Sequence, residues 1–260
     1  MTTTSNMLGE LTWDGFRDAV ADGTRPVLLP MGSTEQHGLH LPLNTDQLLP
    51  TEVSRRVAAM QSALVAPTLT YGYKSQQRAG GGNWFPGTLS LDGATLVGLV
   101  KTVLTELARH GVRKFCIVNG HFENSWFLHE AVDLALKEMR WDGVRDARVI
   151  LLSYWDFIGA DTIAKIYPDG FAGVELEHAG VMETSMMLAA HPHLVMLDRA
   201  VDHPPAKFPP YDVYPPHTEL TPKAGSLTSP KRATAEKGTV LFDVTSKGIA
   251  DTLKREFGAT

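Results

Sequence analysis

The chain has 260 residues, with 24 Lys and Arg against 29 Asp and Glu, a formal charge of −5. A hydrophobic share of 43% with 20% charged residues argues against both a disordered chain and a membrane-embedded one. Net acidity without any Lys/Arg block argues against nucleic acid or an anionic lipid surface as a partner. The one cysteine, Cys116, cannot build an internal disulfide framework, which fits a reducing compartment. The start, MTTTSNMLGE, lacks the basic and apolar blocks of a signal peptide. No apolar run approaches the roughly 20 residues a spanning helix needs. The expectation is a cytoplasmic protein.

Short apolar runs alternate with amphipathic stretches, the βα pattern of a mostly parallel sheet. Thr12 is placed to cap a first helix carrying Trp13, Phe16 and Val20. A buried strand at 27–31 leads through a polar loop to a helical pattern around 48–60. A short strand near 64–66 and a long Gly-containing loop over 68–89 follow. Asp92 opens a helix in which Leu96, Leu99, Val100, Val103, Leu104 and Leu107 recur at helical spacing, and Gly111 stops it. A strand at 115–118, a helix over 124–140 and a strand at 148–154 come next. The helix predicted over 179–190 carries Met182, Met186 and Met187, read as core filler. Eight of the 16 prolines fall within 203–230, which excludes a regular helix or central strand there. Only 30 residues follow, too few for a second core, so this segment is expected to be an arm on its own domain or on a neighbouring subunit. Residues 234–257 close the chain with a helix. The fold class is α/β: a layered βαβ fold with a mostly parallel central sheet flanked by helices, one domain over residues 1–260.

In an open α/β sheet, sites form beyond the carboxyl ends of the strands. Three predicted strands run there into unusual polar residues. The first reaches Glu35-Gln36-His37-Gly38, with Asn44-Thr45-Asp46 soon after. The second reaches Asn119-Gly120-His121-Phe122-Glu123-Asn124, and the third Ser153-Tyr154-Trp155-Asp156. Two Glu/His pairs at i, i+2 spacing stand out, because in extended backbone such residues point to one side. Imidazole with carboxylate suits Zn or Mn better than Cu(I) or an iron–sulfur cluster. Glu35, His37, Asp46, His121 and Glu123 are five groups. If Asp46 bridges, each of two ions receives three protein ligands, leaving room for a shared water activated to hydroxide at neutral pH.

Blander readings apply to several of these residues. A lone Asp, Glu or His at a loop is usually solvated or capping. His191 and His193 follow a helix end and complement its dipole. His40, His110, His129, His203 and His217 read as surface residues, with His40 close enough to the metal loop to touch a ligand. Gly80-Gly81-Gly82 lacks the Lys and helix of a phosphate loop. Ser33, Ser75 and Ser125 lack a nucleophile elbow, and Cys116 sits inside an apolar strand. His178 lies at the expected start of a helix that also carries Glu183. A helix N-terminus there would keep it neutral and ready to accept a proton; a capping or core-edge histidine is the alternative.

Several stretches together resemble the creatininase (creatinine amidohydrolase) family. They include Gly9-Glu10-Leu11-Thr12-Trp13, Glu35-Gln36-His37-Gly38 and Tyr71-Gly72-Tyr73-Lys74-Ser75-Gln76-Gln77. Gly80-Gly81-Gly82-Asn83, Phe85-Pro86-Gly87-Thr88, Asn119-Gly120-His121, Ser153-Tyr154-Trp155-Asp156-Phe157 and Phe208-Pro209-Pro210-Tyr211-Asp212-Val213 add to them. The resemblance runs nearly end to end. It implies a homohexamer with a binuclear Zn/Mn site that opens a cyclic amide, creatinine to creatine foremost. It pairs Glu35, Asp46 and His121 at one metal, and His37, Asp46 and Glu123 at the other. It makes His178 the proton shuttle, joins Glu123 to it as a catalytic group, and puts Trp155 at the substrate pocket. The substrate shell departs from the family pattern. Val174 replaces a mobile tryptophan, Glu175 an aspartate, Phe122 a tyrosine and Ala79 a serine. Trp84 stands where the family has histidine. Those departures favour, as an alternative, another cyclic ureide, lactam or formamide; a non-catalytic metal-binding or assembly module is a more distant one.

Overall fold

Four short apolar runs pair side by side into one all-parallel sheet of order β2-β1-β3-β4. They are β1 (Val27–Met31), β2 (Leu64–Val65), β3 (Lys114–Asn119) and β4 (Arg148–Ser153). The computed structural model describes residues 5–258. The first four residues of the start read for a leader, and the last two of the expected domain, lie outside them.

The register decides where the site forms. Met31 pairs with Asn119, and Asn119 with Ser153, so three strands end at one level. The polar loops that follow therefore emerge together. Pro30 is tolerated in β1 because its missing N–H faces the side where the two-residue β2 has ended; its carbonyl accepts from Leu69 N at 3.1 Å.

Side chains alternate across the sheet and feed two apolar layers. Val27, Leu29, Met31, Phe115 and Ile117 face one layer, and Leu28, Cys116, Val118 and Leu152 the other. Helices cover both faces: α1 (Trp13–Val20), α2 (Thr45–Met60), α3 (Gln77–Gly80), α4 (Gly93–Arg109), α5 (Ser125–Trp141), α6 (Ala160–Ile166), α7 (Val181–Ala190) and α8 (Ala235–Phe257). Helices α4 and α5 pack on the first layer, and α2, α7 and α8 on the second. Each fully buried Leu, Ile or Phe contributes about 1.5–3 kcal/mol to this arrangement.

The caps follow the sequence. Thr12 accepts from Gly15 N at the start of α1, and Asp92 accepts from Thr95 N at 3.0 Å at the start of α4. Met182, Met186 and Met187 are core residues. The segment 203–230 is irregular apart from one 3-10 turn at Thr218–Leu220, and it packs on its own chain, where Leu227 N donates to His178 O at 3.1 Å.

Three elements differ from expectation. Helix α2 begins at Thr45, not near 48, so Asp46 lies in its first turn. Helix α7 begins at Val181, leaving His178 in the loop before it. Helix α6 had no strong periodic signal, because it is seven residues long with one buried side chain.

Candidate metal centre

The loop after β1, the first turn of α2, the loop after β3 and the start of α7 converge above the sheet. Glu35, His37, Asp46, His121, Glu123, His178 and Glu183 are all buried there. Glu35, Asp46 and His121 form one group whose donor atoms lie within 4.8 Å of one another. His37, Asp46 and Glu183 form a second. Asp46 belongs to both, as the bridging role expected of it requires.

The histidine tautomers follow from carbonyl oxygens, which only accept. His121 Nε2 donates to Tyr73 O at 2.9 Å, so in the neutral ring Nδ1 holds the lone pair. That Nδ1 lies 3.0 Å from both Glu35 Oε1 and Asp46 Oδ2. His37 Nδ1 donates to Glu35 O at 3.2 Å, leaving Nε2 to face Asp46 Oδ1 at 2.9 Å and Glu183 Oε2 at 3.7 Å. A ring N–H anchored on a carbonyl is the usual support of a metal-binding histidine.

Lone pairs facing carboxylates need a cation between them, either a proton or a metal. Burial alone would lower the His37 pKa, yet Asp46 and Glu183 raise it well above its ordinary value. Burial is likewise outweighed at His121 by Glu35 and Glu123. Burial pushes the Glu35 carboxyl up to about 7. At Asp46 burial is overcome by His37 and His121, which hold the carboxylate well below its usual range. Glu35 Oε2 and His37 Nε2 are buried without an aligned hydrogen-bond partner. Buried charge is normally paired or coordinated, so this donor set fits two divalent ions.

The resemblance joins Glu123 to His37 and Asp46; its donor atoms fall outside the group those two form. The structure groups those two with Glu183. His121 is extended, but the backbone turns into a 3-10 helix at Phe122–Asn124, and the i, i+2 side-sharing argument fails there. Glu123 Oε2 lies 3.4 Å from His121 Nε2, the ring edge opposite Nδ1. Gln76 N donates to Glu123 Oε1 at 2.6 Å, while Oε2 has no hydrogen-bond partner. Glu183 was visible in the sequence only as an acid among Val181, Met182, Met186 and Met187. An acidic residue in a helix buried all round is the signal that could have found it. Ala179 N donates to Glu183 Oε2 at 2.6 Å, from a residue whose φ of 54° turns the chain sharply between His178 and α7.

Asparagines hold the loops. Asn119 Nδ2 donates to His121 O at 2.8 Å and to Ser153 Oγ at 3.2 Å. Asn124 Nδ2 donates to Gly32 O at 3.1 Å, and its Oδ1 accepts from Tyr73 N at 2.8 Å. Asn124 thus fixes the residue whose carbonyl orients His121. Gly32 lets the ligand helix approach closely: a Cβ there would stand 2.4 Å from Asp46 O.

His178 is neutral because burial, helped by His37, lowers its pKa well below the ordinary value. The helix-terminus explanation does not apply, since α7 starts three residues later. His40 is a further correction. It is buried, not surface, and its Nε2 lies 2.9 Å from Thr184 Oγ1. His110, His129, His191, His193, His203 and His217 take no part in either metal group.

A cavity opens over the centre, lined by Ala79, Phe122, Glu123, Trp155, Val174 and His178 among others. Phe122 and Trp155 stack at its side, their ring planes 23° apart. Glu175, expected at the substrate, is exposed and lines an outer groove instead. Glu177, which the sequence did not single out for chemistry, lines the cavity, its carboxyl pushed up to about 7 by burial.

A family model for creatininase, described as creatinine amidohydrolase, matches residues 9–253. Creatinine amidohydrolase of Pseudomonas putida is 54% identical over 257 residues, covering 98% of this chain and 99% of that protein. A solved Mn form of creatininase matches with a TM-score of 0.96 at 54% identity, over 98% of this chain and 99% of that one. A glutamate-to-glutamine creatininase variant of Zn-Zn type matches with the same values.

Proposed function

Because the chain belongs to the creatininase family, we propose that it hydrolyses a small cyclic amide, with creatinine opened to creatine as its reaction. The observation that carries this reading is the pair of buried ligand groups sharing Asp46 beneath an aromatic-walled cavity. Glu35, Asp46 and His121 would hold one divalent ion, Zn or Mn. His37, Asp46 and Glu183 would hold the other. Such ions lower the pKa of water towards neutrality and polarise a carbonyl.

The chain's own groups do the rest. Phe122 and Trp155 offer flat faces to a planar ring. Glu123, with one oxygen tied to Gln76 N and the other free, carries the proton taken from the attacking water. His178, which lines the same cavity, would face the departing nitrogen. The family resemblance extends the proposal to one domain, a homohexamer and a cytoplasmic location. Exposed Trp126 and Trp141 on α5 supply apolar surface that a neighbouring subunit would cover.

The ligand assignment is separable by metal counting. Glu183→Gln is expected to lower bound metal from two ions per chain to about one, as loss of one of three protein ligands should. Glu123→Gln is expected to keep both ions while slowing creatinine opening by about 10²-fold or more. Metal analysis after desalting reads both. The reverse pattern would return Glu123 to the ligand set.

A further inference from the structure

Gln36 sits between two ligand residues, Glu35 and His37, and its side-chain amide is oriented without ambiguity. Gly38 N donates to its Oε1 at 2.9 Å. Its Nε2 lies 3.1 Å from Gly80 O and 3.0 Å from Gly225 O. A backbone N–H can only donate and a carbonyl can only accept, so three backbone groups fix which end is nitrogen. The seat is built for this residue: Gly225 has φ of +88°, and a Cβ there would stand 2.0 Å from Gln36 Oε1.

The same Nε2 lies 2.8 Å from His178 Nε2. An amide nitrogen offers no lone pair, so His178 Nε2 must accept; the two Nε2 hydrogens are shared among three acceptors, of which His178 Nε2 is the nearest. The single proton of the neutral ring is then on Nδ1, which lies on the metal side, 3.8 Å from Glu35 Oε1. We propose that Gln36 is a positioning residue that locks His178 as the Nδ1–H tautomer, making it a hydrogen-bond donor to the substrate and preventing it from becoming a metal ligand.

The second half of that statement has its own observation. His178 forms a third group with Glu35 and His37 whose donor atoms lie within 4.8 Å. With a lone pair on Nδ1, it would compete for an ion. With N–H there, it cannot. The functional consequence rests on the amidohydrolase reading. The departing ring nitrogen meets an N–H donor, and the proton that Glu123 takes from the attacking water ends on that nitrogen while His178 keeps its own. The balance is one water O–H and the ring C–N bond broken, one C–O and one N–H bond formed, and the imidazole ending as it began.

Solid-state ¹⁵N spectra of histidine-labelled protein, zinc-loaded and metal-free, test the tautomer without any substrate. The His178 signals are assigned by their absence in His178→Gln. The expected result is a protonated Nδ1 and a bare Nε2 in both forms; a proton on Nε2 would overturn the proposal. Gln36→Glu presents an acceptor instead of a donor. It is expected to move the proton to Nε2 and to lower kcat by about 10²-fold, the low end of what a positioned acid contributes, with both ions retained. Should that variant not fold, the wild-type spectrum still decides. A Gln36→Glu protein keeping Nδ1–H, with kcat within twofold of wild type, would also refute it. Absence of creatinine turnover in wild type would count against the amidohydrolase reading alone and leave the tautomer standing.

Discussion

His121→Ala is expected to abolish creatinine turnover and to lower bound metal from two ions per chain to one or none, with the fold retained. The imidazole Nδ1 is the only nitrogen donor in its group, 3.0 Å from both carboxylates it works with. Losing even an outer partner of a metal ligand costs 10–100-fold in affinity or activity, so loss of the ligand itself should exceed about 10²-fold. The sheet should survive, because the place of β3 is set by Phe115, Cys116, Ile117 and Val118, all buried in the two apolar layers. Circular dichroism with metal analysis reads both outcomes. Unchanged metal content would remove His121 from the centre.

The same substitution has a pH signature in chelated protein. Without metal, His121 is a buried imidazole whose pKa Glu35 and Glu123 raise despite the cost of burial. A raised folded pKa stabilises fully below the unfolded value of about 6.5, and that stability is lost as pH climbs through the folded value. The gap in unfolding midpoint between chelated wild type and His121→Ala should therefore narrow as pH rises. A gap that widened would contradict the assigned charge states.

His178→Ala is expected to lose activity by a different route: kcat down by about 10²–10⁴-fold with both ions still bound. Its ring stands over the centre, 4.5 Å from the His37 ring between centroids, yet neither shared-Asp46 group includes it. KM should change little, since the cavity keeps Phe122 and Trp155. A normal kcat would take His178 out of the reaction, whereas loss of an ion would make it a ligand and undo the Gln36 proposal as well.

Much of the architecture was legible because the signals were local and strong. The strand at 27–31 is apolar throughout, and Asp92 and Thr12 cap as their side chains allow. Four residues of the two buried groups, Glu35, His37, Asp46 and His121, followed from polar residues placed directly after buried strands. The fifth did not. Glu123 joined His37 and Asp46 through the resemblance and lies in a 3-10 turn at Phe122–Asn124, whereas Glu183 reaches the centre from a helix some 60 residues later in the chain. Only the packing of α7 under the loop after β1 brings it beside His37. Gln36 and Asn124 were equally hidden, because their work lies in backbone groups of loops far apart in sequence. His40 shows the converse: a histidine near the metal loop read as surface, buried because Thr184 of α7 covers it.

The most direct test is creatinine opening by protein stripped with a chelator and reloaded with Mn or Zn. The expected result is no turnover in the stripped protein and metal-dependent formation of creatine after reloading, at a kcat near or above about 10 s⁻¹, a median enzyme value. Turnover that persists undiminished with no metal bound, or fully loaded protein that leaves creatinine intact, would contradict a two-metal creatinine amidohydrolase.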